Sequence, residues 1–328
     1  MKIPTFSAQT EWVIPTEFPD LRQVDEIAID LETRDPDLIK KGSGAIIGNG
    51  EVIGIAVATA HYKGYFPIAH EGGGNMDRKK VLEWFKDILN TTSTKIFHNA
   101  MYDVCWIRSV TGIMMKGRIV DTMIAASVID ENRFKYSLDS LSKDYLDEGK
   151  YKYDLQQKTL EWSGGTVKDP MTNMHKLPES IVKEYAKQDV NLTLKLWNLF
   201  NKKLDKTLYT KTENNKVYTC RNIFELETRL FPCLVDMKFK GVRIDIQKLE
   251  RLGKRLTLRR DNLLKIIKKH TQLDLQLWAA TSIKQLLDNR KIASTFLSTR
   301  SSRAGLRTSF IIFVLRCEPI RFHIFSLP

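Results

Sequence analysis

The sequence predicts an α/β domain followed by a helical segment, and three observations carry that expectation. Residues 26–33, Glu26-Ile27-Ala28-Ile29-Asp30-Leu31-Glu32-Thr33, alternate apolar and polar side chains as a strand does. Lys95-Ile96-Phe97-His98 is a second short strand that leads directly into a helical pattern starting at Asn99. Residues 177–200 then form a long helix with Pro178 at its first turn. Its apolar positions Ile181, Val182, Tyr185, Ala186, Val190, Leu194 and Trp197 recur at helical spacing.

In chain order, strands are expected near 25–33, 51–60, 64–69 and 95–98, with a short one near 118–120. Helices are expected near 77–90, 100–110, 121–130 and 178–200, and a helical segment from about 222 to 290. Asn99 is read as the cap of the helix after the 95–98 strand. The polar, Gly-rich stretch 34–50 and the connection 163–175 read as loops at the rim of a cleft. Gly72-Gly73-Gly74 is read as a turn, because no G-K-[ST] follows it to make a phosphate loop. No internal repeat is evident.

With 328 residues the chain is long enough for two domains. Cys105, Cys220, Cys233 and Cys317 are isolated, so neither a disulfide framework nor a zinc site is signalled, and reduced thiols are expected. The first twenty residues lack a signal pattern, and no apolar run approaches the roughly 18–20 residues of a membrane span. A cytoplasmic protein without membrane contact is therefore expected, in the host cytoplasm if viral. Net charge is +13 and unevenly spread. Residues 1–200 carry 25 Lys and Arg against 28 Asp and Glu, whereas residues 201–328 carry 27 against 11. That asymmetry points to a polyanion partner for the C-terminal part. The sharpest basic stretch, with Arg251, Lys254, Arg255 and Arg259 and continuing through Lys265, Lys268 and Lys269, has an apolar stripe at Leu252, Leu256, Leu263 and Ile267. As a helix it would present a broad basic face to phosphates. A helix face that is merely solvated remains the alternative.

Four carboxylates are the candidate chemistry. Asp30 and Glu32 are two apart and leave the same face of one strand, where their repulsion and desolvation are costly unless a cation lies between them. Asp103 lies one turn beyond Asn99. Tyr185 and Asp189 are four apart and share one helix face. A site of carboxylates without His or Cys suits hard cations such as Mg²⁺ or Mn²⁺. Phosphoryl chemistry on a nucleic acid uses two such ions about 4 Å apart, clamping the attacking and leaving oxygens. Each piece alone arises often by chance: a solvated acidic edge strand and a core tyrosine are the plain alternatives. His98, beside the second segment, reads as a substrate-side or core residue and not as a ligand.

The order and contexts of these segments resemble the three exonuclease motifs of the DEDD 3′–5′ exonucleases. Asp30 and Glu32 stand in Ile29-Asp30-Leu31-Glu32-Thr33, Asp103 in His98-Asn99-Ala100-Met101-Tyr102-Asp103, and Asp189 in Tyr185-Ala186-Lys187-Gln188-Asp189. Tyr at 185, with no His near Asp189, is similar to the tyrosine subclass, found in the proofreading domains of family A DNA polymerases and in ribonuclease D. The resemblance covers residues 24–200, with support from Val120-Asp121-Thr122-Met123 and Ser137-Leu138-Asp139-Ser140-Leu141. Residues 34–54 and 66–74 resemble bacteriophage versions. The stretches 224–245 and 281–287 are similar to the entry into a family A polymerase domain.

The resemblance implies a ribonuclease H-like, three-layer fold with a mixed central sheet. It implies metal-dependent removal of 3′-terminal nucleotides from DNA, the proofreading activity of a polymerase, acting on single-stranded or frayed 3′ ends. Two divalent ions, Mg²⁺ or Mn²⁺, would be held by Asp30, Glu32, Asp103 and Asp189. Tyr185 would orient the attacking water, and Thr33, Asn99, Arg251, Lys254, Arg255 and Arg259 would contact substrate. Replication proteins would be partners of a full-length polymerase. The implied organisation is an exonuclease domain at 1–205, the start of a polymerase domain at 206–292, and an atypical tail at 293–328. No polymerase palm or fingers motif is found after about residue 292, so polymerase activity is not expected of this chain. The tail holds five Arg but no Lys or Asp, against 33 Lys and 14 Arg before it, and a frameshifted or artificially joined end is expected there. Two rivals stand beside this reading: a ribonuclease D-like RNA-trimming enzyme and a non-catalytic nucleic-acid-binding module.

Overall fold

The computed structural model describes residues 14–149, 152–164, 171, 173–205, 207–211 and 216–289. The expected tail and most of the 163–175 connection lie outside them. Within the described residues the chain divides into two compact units that part between Gly241 and Val242.

The first unit is built on a five-stranded mixed sheet. Its strands are β1 (Glu26–Arg34), β2 (Glu51–Ala58), β3 (Lys63–Pro67), β4 (Thr94–Phe97) and β5 (Ile119–Asp121), in the order β3-β2-β1-β4-β5. β1 pairs antiparallel with β2 and parallel with β4; β2 pairs antiparallel with β3, and β4 parallel with β5. Such parallel neighbours need crossover connections. α3 (Arg78–Leu89) connects β3 to β4 and α4 (Ala100–Thr111) connects β4 to β5. Two short helices, α1 (Leu38–Lys41) and α2 (Gly44–Ile47), occupy the 34–50 stretch read as a loop. They form because Asp35 accepts from Gly44 N at 3.0 and 3.1 Å and so folds the chain back on itself.

The alternation of β1 sorts its side chains between two cores. Ile27, Ile29 and Leu31 pack with Val81, Phe85 and Ile88 of α3 and with Val104 and Ile107 of α4. Ala28 faces the other layer, with α5 (Thr122–Ile129), α6 (Leu138–Leu146) and the long α8 (Glu179–Lys203). α7 (Lys152–Lys158) precedes α8. The apolar stripe of α8 is buried as its spacing predicts: Val182, Ala186, Val190, Trp197 and Phe200 are fully inaccessible to solvent. Each large side chain of that kind contributes about 1.5–3 kcal/mol by leaving water. The layers are therefore helix, sheet, helix.

The unit does not stop at residue 205. A hairpin of β6 (Thr207–Lys211) and β7 (Lys216–Thr219) leads into α9 (Cys220–Lys240), which returns to both cores. Phe224 joins the core of α8, while Phe231 and Val235 join the other. Two arginines latch α9, Arg118 from just before β5 and Arg108 from α4. Arg118 pairs with Glu225 and lies over the rings of Trp197 and Phe224. Arg108 pairs with Asp236 at 2.5 Å and lies 4.5 Å over Phe239. The first compact unit thus runs to Gly241 and includes α9.

The second unit holds α10 (Ile246–Thr271), which Asp245 caps by accepting from Lys248 N at 2.9 Å, and α11 (Ala280–Asn289). No residue of α10 is buried, and its stripe at Leu252, Leu256 and Leu263 is exposed along with its basic face. Among the described residues no helix is long and apolar enough to cross a membrane.

Candidate active site

A cleft of about 320 Å³ opens on the α8 side of the sheet where β4 ends. β1 sends Asp30, Glu32 and Thr33 into it, α4 sends Tyr102 and Asp103, and α8 sends Tyr185 and Asp189. His98, Asn99 and Met174 complete much of its wall. All five residues read as catalytic from the sequence meet in this one place, together with Thr33 and Asn99.

Strand geometry explains the first pair. Asp30 and Glu32 alternate with Ile29 and Leu31, so both leave the face that bears Ala28 and α8. The ladder between β1 and β2 shifts register between Glu32 and Thr33, a bulge of the kind that re-aims side chains beside active sites. On its other edge β1 outruns β4: their parallel register ends at Ala28 and Ile96. The backbone N–H of Leu31 instead donates to Asp103 Oδ1 at 3.1 Å. That bond ties the second carboxylate segment to the strand between Asp30 and Glu32.

Asn99 occupies the N-cap position of α4 without capping it. Its φ and ψ are 69° and 49°, the left-handed region, and its side chain makes no cap hydrogen bond. Such a conformation costs a non-glycine residue on the order of 1 kcal/mol. Asp121, at the end of β5, caps α4 in its place: its carboxylate accepts from Asn99 N at 3.0 Å and Ala100 N at 2.8 Å, and from Met123 N at 2.8 Å. The Asn99 side chain is left to the cleft. The expectation of an Asn99 cap is corrected on this point, because the carboxylate of a neighbouring parallel strand reaches those N–H groups first.

Burial and like charge act together here. Glu32, Asp103 and Asp189 are each under 7 % exposed. Burial raises the Asp103 carboxyl well above the usual carboxylate range, and the charge of Asp30 adds to the shift. The Tyr185 phenol is likewise pushed well up, first by burial and then by Asp189, Glu32 and Asp30, so it keeps its proton at neutral pH. Burial also raises Tyr102 to about 12. Among the described residues no three His, Cys, Asp or Glu side chains are already drawn into a ligand set. Carboxylates brought into one cleft repel one another unless a cation lies between them. The donor set, all oxygen and strongly anionic, fits a hard divalent cation and not a soft one.

Three neighbours carry no role in the sequence reading. Tyr102 follows Asn99 by three residues and so shares its helix face, the signal that could have found it. Its hydroxyl lies 2.6 Å from Thr33 Oγ1 and 3.3 Å from Asp35 Oδ2, so Thr33 reaches the cleft already engaged. Asp121 entered the sequence reading only within the Val120-Asp121-Thr122-Met123 stretch, and Met174 has no comparable local signal. His98 Nδ1 lies 2.8 Å from Thr122 Oγ1, which donates to Phe97 O, and this holds its ring at the cleft wall. Arg251, Lys254, Arg255 and Arg259 belong to the second unit, where they are exposed on α10.

The family model described as 3′–5′ exonuclease matches residues 17–205. The DNA-directed DNA polymerase of Pseudomonas phage M6 is 29% identical over 254 residues, covering 75% of this chain and 36% of that protein. DNA polymerase DpoZ of Salmonella phage PMBT28 is 27% identical over 231 residues, covering 70% of this chain and 33% of that protein. The chain thus spans about a third of the length of these curated relatives. Among solved structures, the POL domain of Pol1 from M. smegmatis, in complex with DNA primer-template and dNTP, superposes with a TM-score of 0.51 at 12% identity. That match covers 81% of this chain and 37% of the other, and shows a likeness of fold.

Proposed function

This chain belongs to the 3′–5′ exonuclease family of the family A DNA polymerases, and on that premise we propose that its acidic cleft hydrolyses the terminal phosphodiester at the 3′ end of DNA, releasing nucleoside monophosphates. The observation that carries the proposal is the convergence of Asp30, Glu32, Asp103, Asp189 and Tyr185 on one cleft from three separate elements.

Asp30, Glu32 and Asp189 would hold one divalent ion, and Asp30 with Asp103, the latter through water, a second; Mg²⁺ or Mn²⁺ suits the oxygen donors. Ions held there would lower the barrier by activating the attacking water and by stabilising charge on the leaving oxygen. The protein's own groups do the positioning. Tyr185 keeps its proton, so it orients the attacking water through its hydroxyl and does not act as a phenolate base. Glu32, on the same strand face as Asp30, accepts a hydrogen bond from that water. Asn99 is held in its left-handed conformation with its amide free of capping, and it contacts the terminal nucleotide beside Thr33 and Tyr102. The exposed basic face of α10, with Arg251, Lys254, Arg255 and Arg259, neutralises phosphates of the adjoining duplex without reading sequence.

DNA is preferred over RNA as substrate because the relatives that extend past residue 205 are DNA polymerases. Purified protein incubated with 3′-labelled single-stranded DNA or RNA, in Mg²⁺, Mn²⁺ or EDTA, tests this. Label is expected to leave DNA as monophosphate in either metal and not in EDTA. Faster trimming of RNA would replace the DNA reading with an RNA-processing one.

A further inference from the structure

A buried hydrogen-bond chain runs from the sheet to the start of α8, outside the residues given roles above. Tyr65 of β3 is fully inaccessible and His70 is 3 % exposed. Tyr65 Oη lies 2.5 Å from His70 Nε2, and His70 Nδ1 lies 2.9 Å from the carbonyl oxygen of Leu177. A carbonyl can only accept, so His70 Nδ1 carries the proton and Nε2 accepts from the tyrosine hydroxyl. Burial lowers the imidazole to about 4, so it is neutral and this direction is fixed at working pH.

Each end of the chain lies beside an element that carries site residues. The Tyr65 ring lies across Gly54, where a Cβ would come within 2.1 Å of the tyrosine oxygen, and Gly54 is the β2 partner of Glu32. Leu177 lies two residues before α8, the helix that carries Tyr185 and Asp189. Loop 70–75 clasps the same helix start. Asn75 brackets the His70 backbone, accepting from its N–H and donating to its carbonyl, both at 2.7 Å. Glu71 N donates to His175 O at 2.9 Å. A Cβ on Gly72 would lie 2.3 Å from Pro178 N, and one on Gly74 would lie 1.6 Å from the Glu179 carboxylate. Gly72 and Gly74 thus make a close-approach seat for the start of the helix, in keeping with the absence of a phosphate-loop signature.

We propose that Tyr65 and His70 are positioning residues of the exonuclease reaction, seating the start of α8 on the β2–β3 side of the sheet and so setting where Tyr185 and Asp189 stand relative to Asp30 and Glu32. The inference rests on the catalytic reading of those four residues. A helix is stiff along its axis, so a shift at Leu177 is carried to Tyr185 and Asp189 with little loss. Displacements on the scale of 1 Å at reacting groups are felt strongly in rate.

The test uses the full chain with Tyr65→Phe, His70→Ala and His70→Gln, and Asp30→Ala as control. Tyr65→Phe removes one hydroxyl and keeps the ring over Gly54. Its kcat on single-stranded DNA is expected to fall on the order of 10-fold with KM near wild type. Mn²⁺ binding without DNA, read by calorimetry, should weaken in parallel. His70→Gln keeps an amide donor for Leu177 O and should recover part of the rate lost in His70→Ala. If His70→Ala does not fold, Tyr65→Phe and His70→Gln decide. Wild-type kcat and Mn²⁺ binding in Tyr65→Phe and His70→Gln, with at most a lowered Tm, would overturn the inference. If Asp30→Ala also cleaves at the wild-type rate, the catalytic reading itself fails; if Asp30→Ala is inactive, only the positioning role does.

Discussion

Tyr185 sits against Asp189, Glu32 and Asp30: burial raises its phenol first, and the charges of these carboxylates raise it further. A core tyrosine and a catalytic one look alike on an apolar helical stripe; what separates them is which charges face the hydroxyl. Tyr185→Phe removes that hydroxyl and leaves all four carboxylates in place. The rate should fall on the order of 10²-fold while some activity persists, since orientation is lost and metal ligation is not. Single-turnover cleavage of a 3′-labelled strand measures it, and an unchanged rate would return Tyr185 to the core. At this scale much of the site was legible. Period-two alternation put Asp30 and Glu32 on one face, and helical spacing linked Tyr185 to Asp189. The capping of α4 was not legible, because Asp121 reaches Asn99 N and Ala100 N across two parallel strands, 22 and 21 residues along the chain. Local rules assign a cap to the residue in the cap position, and here a tertiary contact displaced it.

Most elements of the first unit were readable from local pattern: β1 sends alternate residues into two cores, and α3 and α8 carry their buried apolar residues at helical spacing. The elements that were missed are held by contacts distant in sequence or by single polar bonds. α1 and α2 depend on Asp35 folding back to Gly44 N, a signal that is only turn-like in sequence. α9 was read as helical, but its place was not. Charge and family resemblance put a boundary near 205, whereas Phe224, Phe231 and Val235 belong to the cores of the exonuclease unit. A chain ended after Asp205 is therefore expected to be much less stable than one ended after Gly241. Two buried phenylalanines alone represent about 3–6 kcal/mol of lost burial. Thermal unfolding of the two forms checks this, and equal midpoints would mean that α9 is not part of the exonuclease fold.

Across the whole molecule, the acidic first 200 residues and the basic remainder suit two tasks. The first gathers carboxylates at one cleft, and the second offers α10 as an exposed basic face. If that face holds duplex phosphates, cleavage should weaken steeply as salt rises, and replacing Arg255 and Arg259 by Ala should flatten the dependence. A recessed cleft also needs an unstacked terminus, and unpairing costs a few kcal/mol that a mismatched end has partly spent already. Initial rates across a salt series should therefore rank single-stranded above mismatched above matched 3′ ends. Equal rates on all three would contradict a proofreading-like role even if the nuclease activity stood. The central claim is that the converging carboxylates carry the cleavage, and one measurement meets it directly. Degradation of 3′-labelled single-stranded DNA in Mg²⁺ by wild type, Asp30→Ala and Asp189→Ala is followed beside DNA binding by each protein. The account predicts near-complete loss of cleavage in both variants with binding largely intact; wild-type turnover in either would contradict it.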